Sequence, residues 1–239
     1  MDSLVKETGL DWFKRLSAPT VVYQTGCREL DRLLGGGFKL GQVYSIDGEG
    51  ATGKTQLCFT IIANHLLNQK NGTSYIYYID FNSGFKPSRM AEILRSRDPS
   101  LNNEMMHKLL KRVLLVVVTS ASDFHYFFTH FSLISKTHQG SLIICENVGL
   151  ILAETTHAGV YTGQTRRDEI QYAMKHLAEK KCMPIILTNH MRKYKERQVP
   201  ALFYRWNQAI PIHILMMKQN NERKLQLMDS DMASLLNSI

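Results

Sequence analysis

The run with the clearest chemistry is Gly48-Glu49-Gly50-Ala51-Thr52-Gly53-Lys54-Thr55. Glycine, four residues, glycine, lysine and a hydroxyl residue have the spacing of a phosphate-binding loop. Its glycines let backbone N–H groups curl around an anion, and a helix beginning at the loop adds the positive end of its dipole. Lys54 would reach the β and γ phosphates of a nucleotide, and the Thr55 hydroxyl would ligand Mg2+. Further along, Glu146 closes an apolar run and His190 ends Thr188-Asn189-His190. The remaining histidines show no metal-ligand spacing, and no Ser-His-Asp or Cys-His arrangement can be argued.

Such a loop needs a strand before it and a helix after it. Residues 43–46 read as a buried strand, and 55–68 as a helix with Leu57, Ile61 and Leu66 at helical spacing. Further strands are expected at 75–79, 113–118, 142–145 and 185–187, with helical stretches near 87–96, 101–111, 122–135 and 166–180 between them. This alternation implies α/β architecture, a mostly parallel sheet with helices on both faces. Upstream, Leu30, Leu33 and Leu34 share a helical face that the triplet Gly35-Gly36-Gly37 ends. Beyond Pro211, residues 212–217 and 224–228 flank Gln219-Asn220-Asn221 and read as an antiparallel hairpin at the sheet edge.

At 239 residues and 44% hydrophobic, the chain can bury one full core, expected at residues 21–239 behind a lead-in of residues 1–20. Within the lead-in, Trp12 and Phe13 belong to an apolar cluster that either packs on the chain's own core or docks on a partner. No apolar run approaches membrane-spanning length, and the acidic N-terminus does not read as a secretory signal. Four scattered cysteines without a Cys-x-x-Cys pair suit a reducing compartment.

The net charge of +8 points to a polyanionic partner, and its distribution favours one. Between Arg166 and Arg197 nine basic residues face four acidic ones. The densest part, Arg192-Lys193-Tyr194-Lys195-Glu196-Arg197, has Phe203, Tyr204 and Trp206 close behind. Cations for phosphates and aromatic faces for bases are the means of binding single strands without sequence preference. A plain solvated loop is the alternative, and Lys175, Lys180 and Lys181 fit a solvated helix face better.

Taken together, Thr25-Gly26-Cys27, Leu30-Asp31, the glycine triplet, Gly48 to Gln56, Ile79-Asp80, Phe85-Lys86-Pro87, Arg89, the strand ending at Glu146 and Thr188-Asn189-His190 resemble the ATPase core of eukaryotic RecA-like strand-exchange recombinases. The resemblance spans residues 22 to about 228 in the family's order. It implies ATP and Mg2+ as ligands, with Gly48 to Gln56 holding the nucleotide and Thr55 and Glu146 the metal. It also implies γ-phosphate sensing at His190, against a plain strand end, and DNA-lining loops near 154–167 and 191–204. Arg166, Arg167, Arg192, Lys193, Tyr194, Lys195 and Arg197 would be the DNA contacts. Single-stranded DNA, a recombinase filament and other paralogue subunits are the expected partners, in the nucleus.

The departures from that family point further. Its catalytic glutamate stands two residues after Asp80, where this chain has Asn82. An amide orients water but accepts no proton, and loss of a general base typically costs about 10²- to 10⁴-fold in rate. Glu146 is one methylene longer than the family's metal-ordering aspartate, and Ala51 replaces an arginine of the active recombinase. Only about twenty residues precede Val22, where recombinases carry a helical DNA-binding domain. A mediator-type paralogue, most similar to the one lettered D and reduced to the core, is therefore expected, with little ATP hydrolysis. The rivals are an active DNA-stimulated ATPase in which Glu146 or Glu49 supplies the carboxylate, and a small-molecule P-loop kinase.

Overall fold

The structure is a computed structural model that describes residues 8–10, 22–70, 72–81, 84–135, 140–156, 160–194, 197–202, 204–220 and 222–228. Trp12, Phe13, Asn82 and Lys195 lie outside these residues, as do the side chains of Tyr194 and Arg197.

A short antiparallel ribbon, β1 (Val22–Tyr23) and β2 (Phe38–Lys39), brackets helix α1 (Arg28–Leu33). The main sheet then alternates with helices. Strand β3 (Val43–Gly48) leads through the glycine loop into α2 (Lys54–Asn68), and β4 (Tyr75–Asp80) into α3 (Pro87–Arg97) and α4 (Asn103–Leu110). After β5 (Val113–Val117) come α5 (Ala121–Thr129) and α6 (Phe131–Ile134). Strand β6 (Gly140–Glu146) is followed by α7 (Val148–Ile151), a 3-10 turn at Ala153–Thr156 and the long α8 (Val160–Lys181). The chain continues through β7 (Ile185–Tyr194), β8 (Arg197–Pro200), α9 (Tyr204–Ala209), β9 (Ile212–Gln219) and β10 (Glu222–Leu227).

Seven strands lie in the order β10-β9-β3-β7-β6-β4-β5, and β8 pairs with the outer end of β7. All neighbours along that order are parallel except β10, which returns antiparallel to β9 as the expected edge hairpin. Period-two alternation divides the strand side chains between two cores. Tyr44, Ile46, Tyr78, Ile144, Ile186 and Ile214 pack with α2, α3 and α4, whereas Val43, Ile79, Ile143, Cys145, Ile185 and Leu187 pack with α5 and α8. Helix starts follow their caps. Pro87 opens α3, Asn102 accepts the Met105 N–H at 2.8 Å, and Ser120 accepts that of Asp123 at 3.0 Å.

The boundaries differ from expectation in three places. The stretch 122–135 is two helices broken at His130, and the last long helix begins at Val160 rather than 166. Strand β7 continues to Tyr194, because residues 191–194 find ladder partners in β8. No helix among the described residues is long and apolar enough to cross a membrane. All four cysteines are free thiols, with Cys58 and Cys145 fully buried.

Beneath β1 sits a buried imidazole. His65 stacks on Tyr23 at 5.0 Å, and its Nε2 lies 2.9 Å from Ser141 Oγ and 3.2 Å from Ser74 Oγ. Burial first, and the Arg112 charge second, bring its pKa down to about 4. The unfolded chain therefore binds more protons between about pH 6.5 and 4, so stability falls as pH drops through that window, by up to about 3 kcal/mol. Chemical unfolding at stepped pH should show this slope, and His65→Gln should flatten it.

Candidate nucleotide-binding site

The register of the parallel strands collects the sequence-predicted residues at one end of the sheet. Gly48 lies opposite His190 of β7 and Met216 of β9, and Asp80 lies opposite Glu146. Ligands of open α/β sheets bind beyond these carboxyl ends. Here a cavity of about 290 Å³ is lined by Ala51, residues 53–56, Glu146, Asn147, Thr188, His190 and Arg223.

The loop is a strained turn between β3 and α2. Gly53 has φ +105°, open to glycine, and Ala51 holds a left-handed φ of +60° that costs a side-chain-bearing residue of order 1 kcal/mol. Thr52 Oγ1 donates to Glu49 O at 2.9 Å, and the Lys54 ammonium donates to Gly48 O at 2.7 Å and Glu49 O at 2.8 Å. Lys54 is buried, and burial lowers its pKa against the opposing pull of Asp47 and Glu146. Glu49 and Gly50 stand in solvent. Gln56 lies at the rim, its Oε1 accepting from Arg89 at 3.3 Å.

Glu146 is buried and held from two sides: Thr55 Oγ1 donates to its Oε1, and the Tyr78 hydroxyl to its Oε2. Burial raises the Tyr78 pKa, followed by the nearby Cys58 and Glu146, so the phenol remains a donor. One hydroxyl and one carboxylate at the mouth of a phosphate loop are the hard oxygen donors that suit Mg2+ completed by phosphate and water. Among the described residues no three or more His, Cys, Asp or Glu are grouped so that they could hold a metal ion. The site thus fits a metal brought with a nucleotide better than a protein-caged one. Next in the chain, Asn147 takes φ +59° and its N–H donates to Thr188 Oγ1 at 2.9 Å. His190 is partly buried, with its pKa lowered by burial and by Lys54.

Below the loop, Asp47 is fully buried; its Oδ2 lies 2.6 Å from His213 Nδ1, and its Oδ1 accepts from Ser45 Oγ at 3.0 Å. His213 Nε2 faces Asn207 O at 2.9 Å, so both ring nitrogens meet acceptors. Burial alone would lower the His213 pKa, but the hydrogen bond and charge of Asp47 outweigh it and raise it.

The candidate DNA residues separate. Arg192 and Lys193 are exposed on the far part of β7, in a two-stranded hairpin with β8 rather than in a loop. Arg166 and Arg167 stand on α8 rather than in a loop before it. Arg166 meets Glu169 at 3.4 Å. Arg167 is 5% exposed and braces the 3-10 turn, donating to Thr155 Oγ1 at 2.9 Å and Gln164 Oε1 at 3.0 Å. Trp206 belongs to the core and offers no face for a base. Sequence reasoning missed Tyr78, Asn147, the Asp47–His213 pair and Arg223. Only Arg223 left a signal, a cation in the alternation with Leu225 and Leu227.

A mostly parallel sheet with the phosphate loop on an inner strand and an antiparallel edge hairpin defines a RecA-like α/β core. The Rad51 family pattern matches residues 17–231, and the chain belongs to that family. It is similar to the DNA repair protein RAD51 homolog 4 of Bos taurus, 26% identical over 210 residues, 83% of this chain and 62% of the relative. The Drosophila melanogaster DNA repair protein Rad51 homolog is 43% identical over 83 residues, 34% of this chain and 25% of the relative. A RAD51-like protein 1 of Caenorhabditis elegans is 25% identical over 224 residues, covering 94% of this chain and 86% of the relative. The chain spans less than two thirds of the length of the Bos taurus and Drosophila relatives.

The His213–Asp47 pair has a testable sign. With the folded pKa raised, its stabilisation is full below about pH 6.5 and is lost as pH rises through the raised value. His213→Leu leaves Asp47 buried without its cation and should cost about 3 kcal/mol in denaturant unfolding at pH 6, with less of that difference remaining at pH 9.

Proposed function

We propose that this chain is an ATP-binding recombinase paralogue of homologous-recombination DNA repair, acting in the nucleus. It promotes or remodels recombinase filaments on single-stranded DNA as part of a heteromer, in the manner of a mediator of the D kind. The observation that carries this is the buried Lys54, held on the loop carbonyls beside the paired Thr55 and Glu146 at the mouth of one cavity. Family membership and the repair-protein names of the Bos taurus and Drosophila relatives support the setting.

In this reading residues 48–56 cradle the triphosphate, and Thr55 and Glu146 would hold Mg2+, which would supply neutralisation of phosphate charge. Glu146 has both oxygens engaged by hydroxyl donors, which suits ordering a metal and its water better than taking a proton. With Asn82 two residues beyond Asp80, no carboxylate stands at the family's base position, so ATP is bound and hydrolysed poorly. Bound ATP then stabilises the conformation or interface that binds it better. His190 reports the γ-phosphate to the β7–β8 hairpin, since its carbonyl accepts the Ala201 N–H at 2.7 Å where the hairpin returns. Arg192 and Lys193, with Tyr194, Lys195, Arg197 and Arg166, carry DNA contact, and Arg167 is withdrawn from that set. Residues 1–20, with Trp12 and Phe13, dock a partner, and residues 21–239 form the core.

Two experiments test this. Recombinase assembly on single-stranded DNA should rise when the chain and ATP are added, but not with Lys54→Ala; filament formation and strand exchange by the chain alone would contradict the mediator reading. Binding of the chain to a single-stranded oligonucleotide should weaken with salt, and Arg192→Ala with Lys193→Ala should reduce the log–log slope by about 1.4.

A further inference from the structure

The edge hairpin reaches the phosphate loop with a charge that the loop motif does not require. Arg223 of β10 lies opposite Lys218 of β9, on the sheet face shared by Met216 and Leu225. That face meets the loop closely. A Cβ on Gly48 would stand 2.5 Å from Met216 O, and one on Gly53 would stand 2.8 Å from Arg223 Nε. Both glycines therefore make room for the hairpin as well as for an anion. Arg223 Nε donates to Thr52 O at 3.1 Å, fixing the guanidinium against the loop, and the side chain lines the same cavity as Lys54 and Thr55. Among the described residues the two Nη atoms have no hydrogen-bond or carboxylate partner. An arginine anchored by Nε at the rim of an anion site has its paired Nη donors left to take phosphate oxygens.

We propose that Arg223 is a nucleotide-contacting residue that binds the polyphosphate of a nucleoside triphosphate from the hairpin side, opposite Lys54. Occupancy of the site is thereby tied to the order of the β9–β10 edge. This rests on the reading of the cavity as an ATP site and adds a residue to it. Lys218, its cross-strand neighbour, extends the same positive face and would strengthen the field without anchoring to the loop.

The probes are ATP and adenosine, titrated into the full chain carrying Arg223→Gln, Arg223→Lys or no substitution. Gln can place its Nε2 where Arg223 has Nε, keeping a donor for Thr52 O, while losing the charge and the paired Nη donors. We expect Arg223→Gln to weaken ATP by about 10- to 100-fold and adenosine by less than threefold, with Arg223→Lys between. The nucleotide-free melting temperature serves as the folding control. ATP bound equally by wild type and Arg223→Gln would overturn the role of Arg223 while leaving the nucleotide site standing. No ATP binding by wild type would overturn the site and this inference together. Hydrogen exchange on the unsubstituted chain gives a reading independent of variant folding. ATP should slow the amides of residues 212–227 several-fold, and unchanged rates there in chain shown to bind ATP would overturn the coupling.

Discussion

Strand β3 is hydrogen-bonded in parallel register to β7 on one side and β9 on the other, which sets Gly48 level with both His190 and Met216. On the far side of β7 the register continues through β6 to β4, where Glu146 stands level with Asp80. Most groups at the cavity are carried by these strands or by the turn that follows β3, so their positions follow from the ladders. A slip of one residue in β3 would turn Tyr44 and Ile46 out of one core and Val43 out of the other, and move the loop away from Glu146. The two apolar cores thus enforce the geometry of the polar site.

Within that frame the loop is held from below and from the side. Asp47 and His213 tie β3 to β9 one residue before the loop begins, and Arg223 ties Thr52 of the loop to β10. The hairpin is therefore more than a sheet edge. On the other wall, Tyr78 fixes one oxygen of Glu146 and leaves the second to Thr55. The longer glutamate side chain is accommodated by a phenol buried between Phe59 and Phe85.

Much of this was legible in the sequence because apolar runs of strand length alternate with helical patterns, and the phosphate loop marks one junction by itself. Strands β3 to β7 and the hairpin emerged from that reading, as did Glu146 as a strand-end residue, whereas His190, read as a strand end, lies within β7. What failed to emerge is non-local. Asp47 and His213 are 166 residues apart, and neither spacing nor type relates them. Arg167 reads as a surface cation, but the early start of α8 at Val160 turns it inward onto the carbonyl and hydroxyl of Thr155. Trp206, behind a basic run, reads as a stacking platform until α9 buries it. Residues 191–194 carry no apolar alternation, and only the return of β8 makes them a strand.

The central claim is that the loop binds ATP and that the chemistry beyond binding is weak. Its most direct test is ATP binding and turnover by the purified chain, with and without single-stranded DNA, beside Lys54→Ala. The account predicts binding that the substitution abolishes, with turnover no faster than that of the variant. Turnover that rises with DNA and vanishes in Lys54→Ala would contradict it, and would assign the missing proton acceptor to another carboxylate such as Glu146 or Glu49.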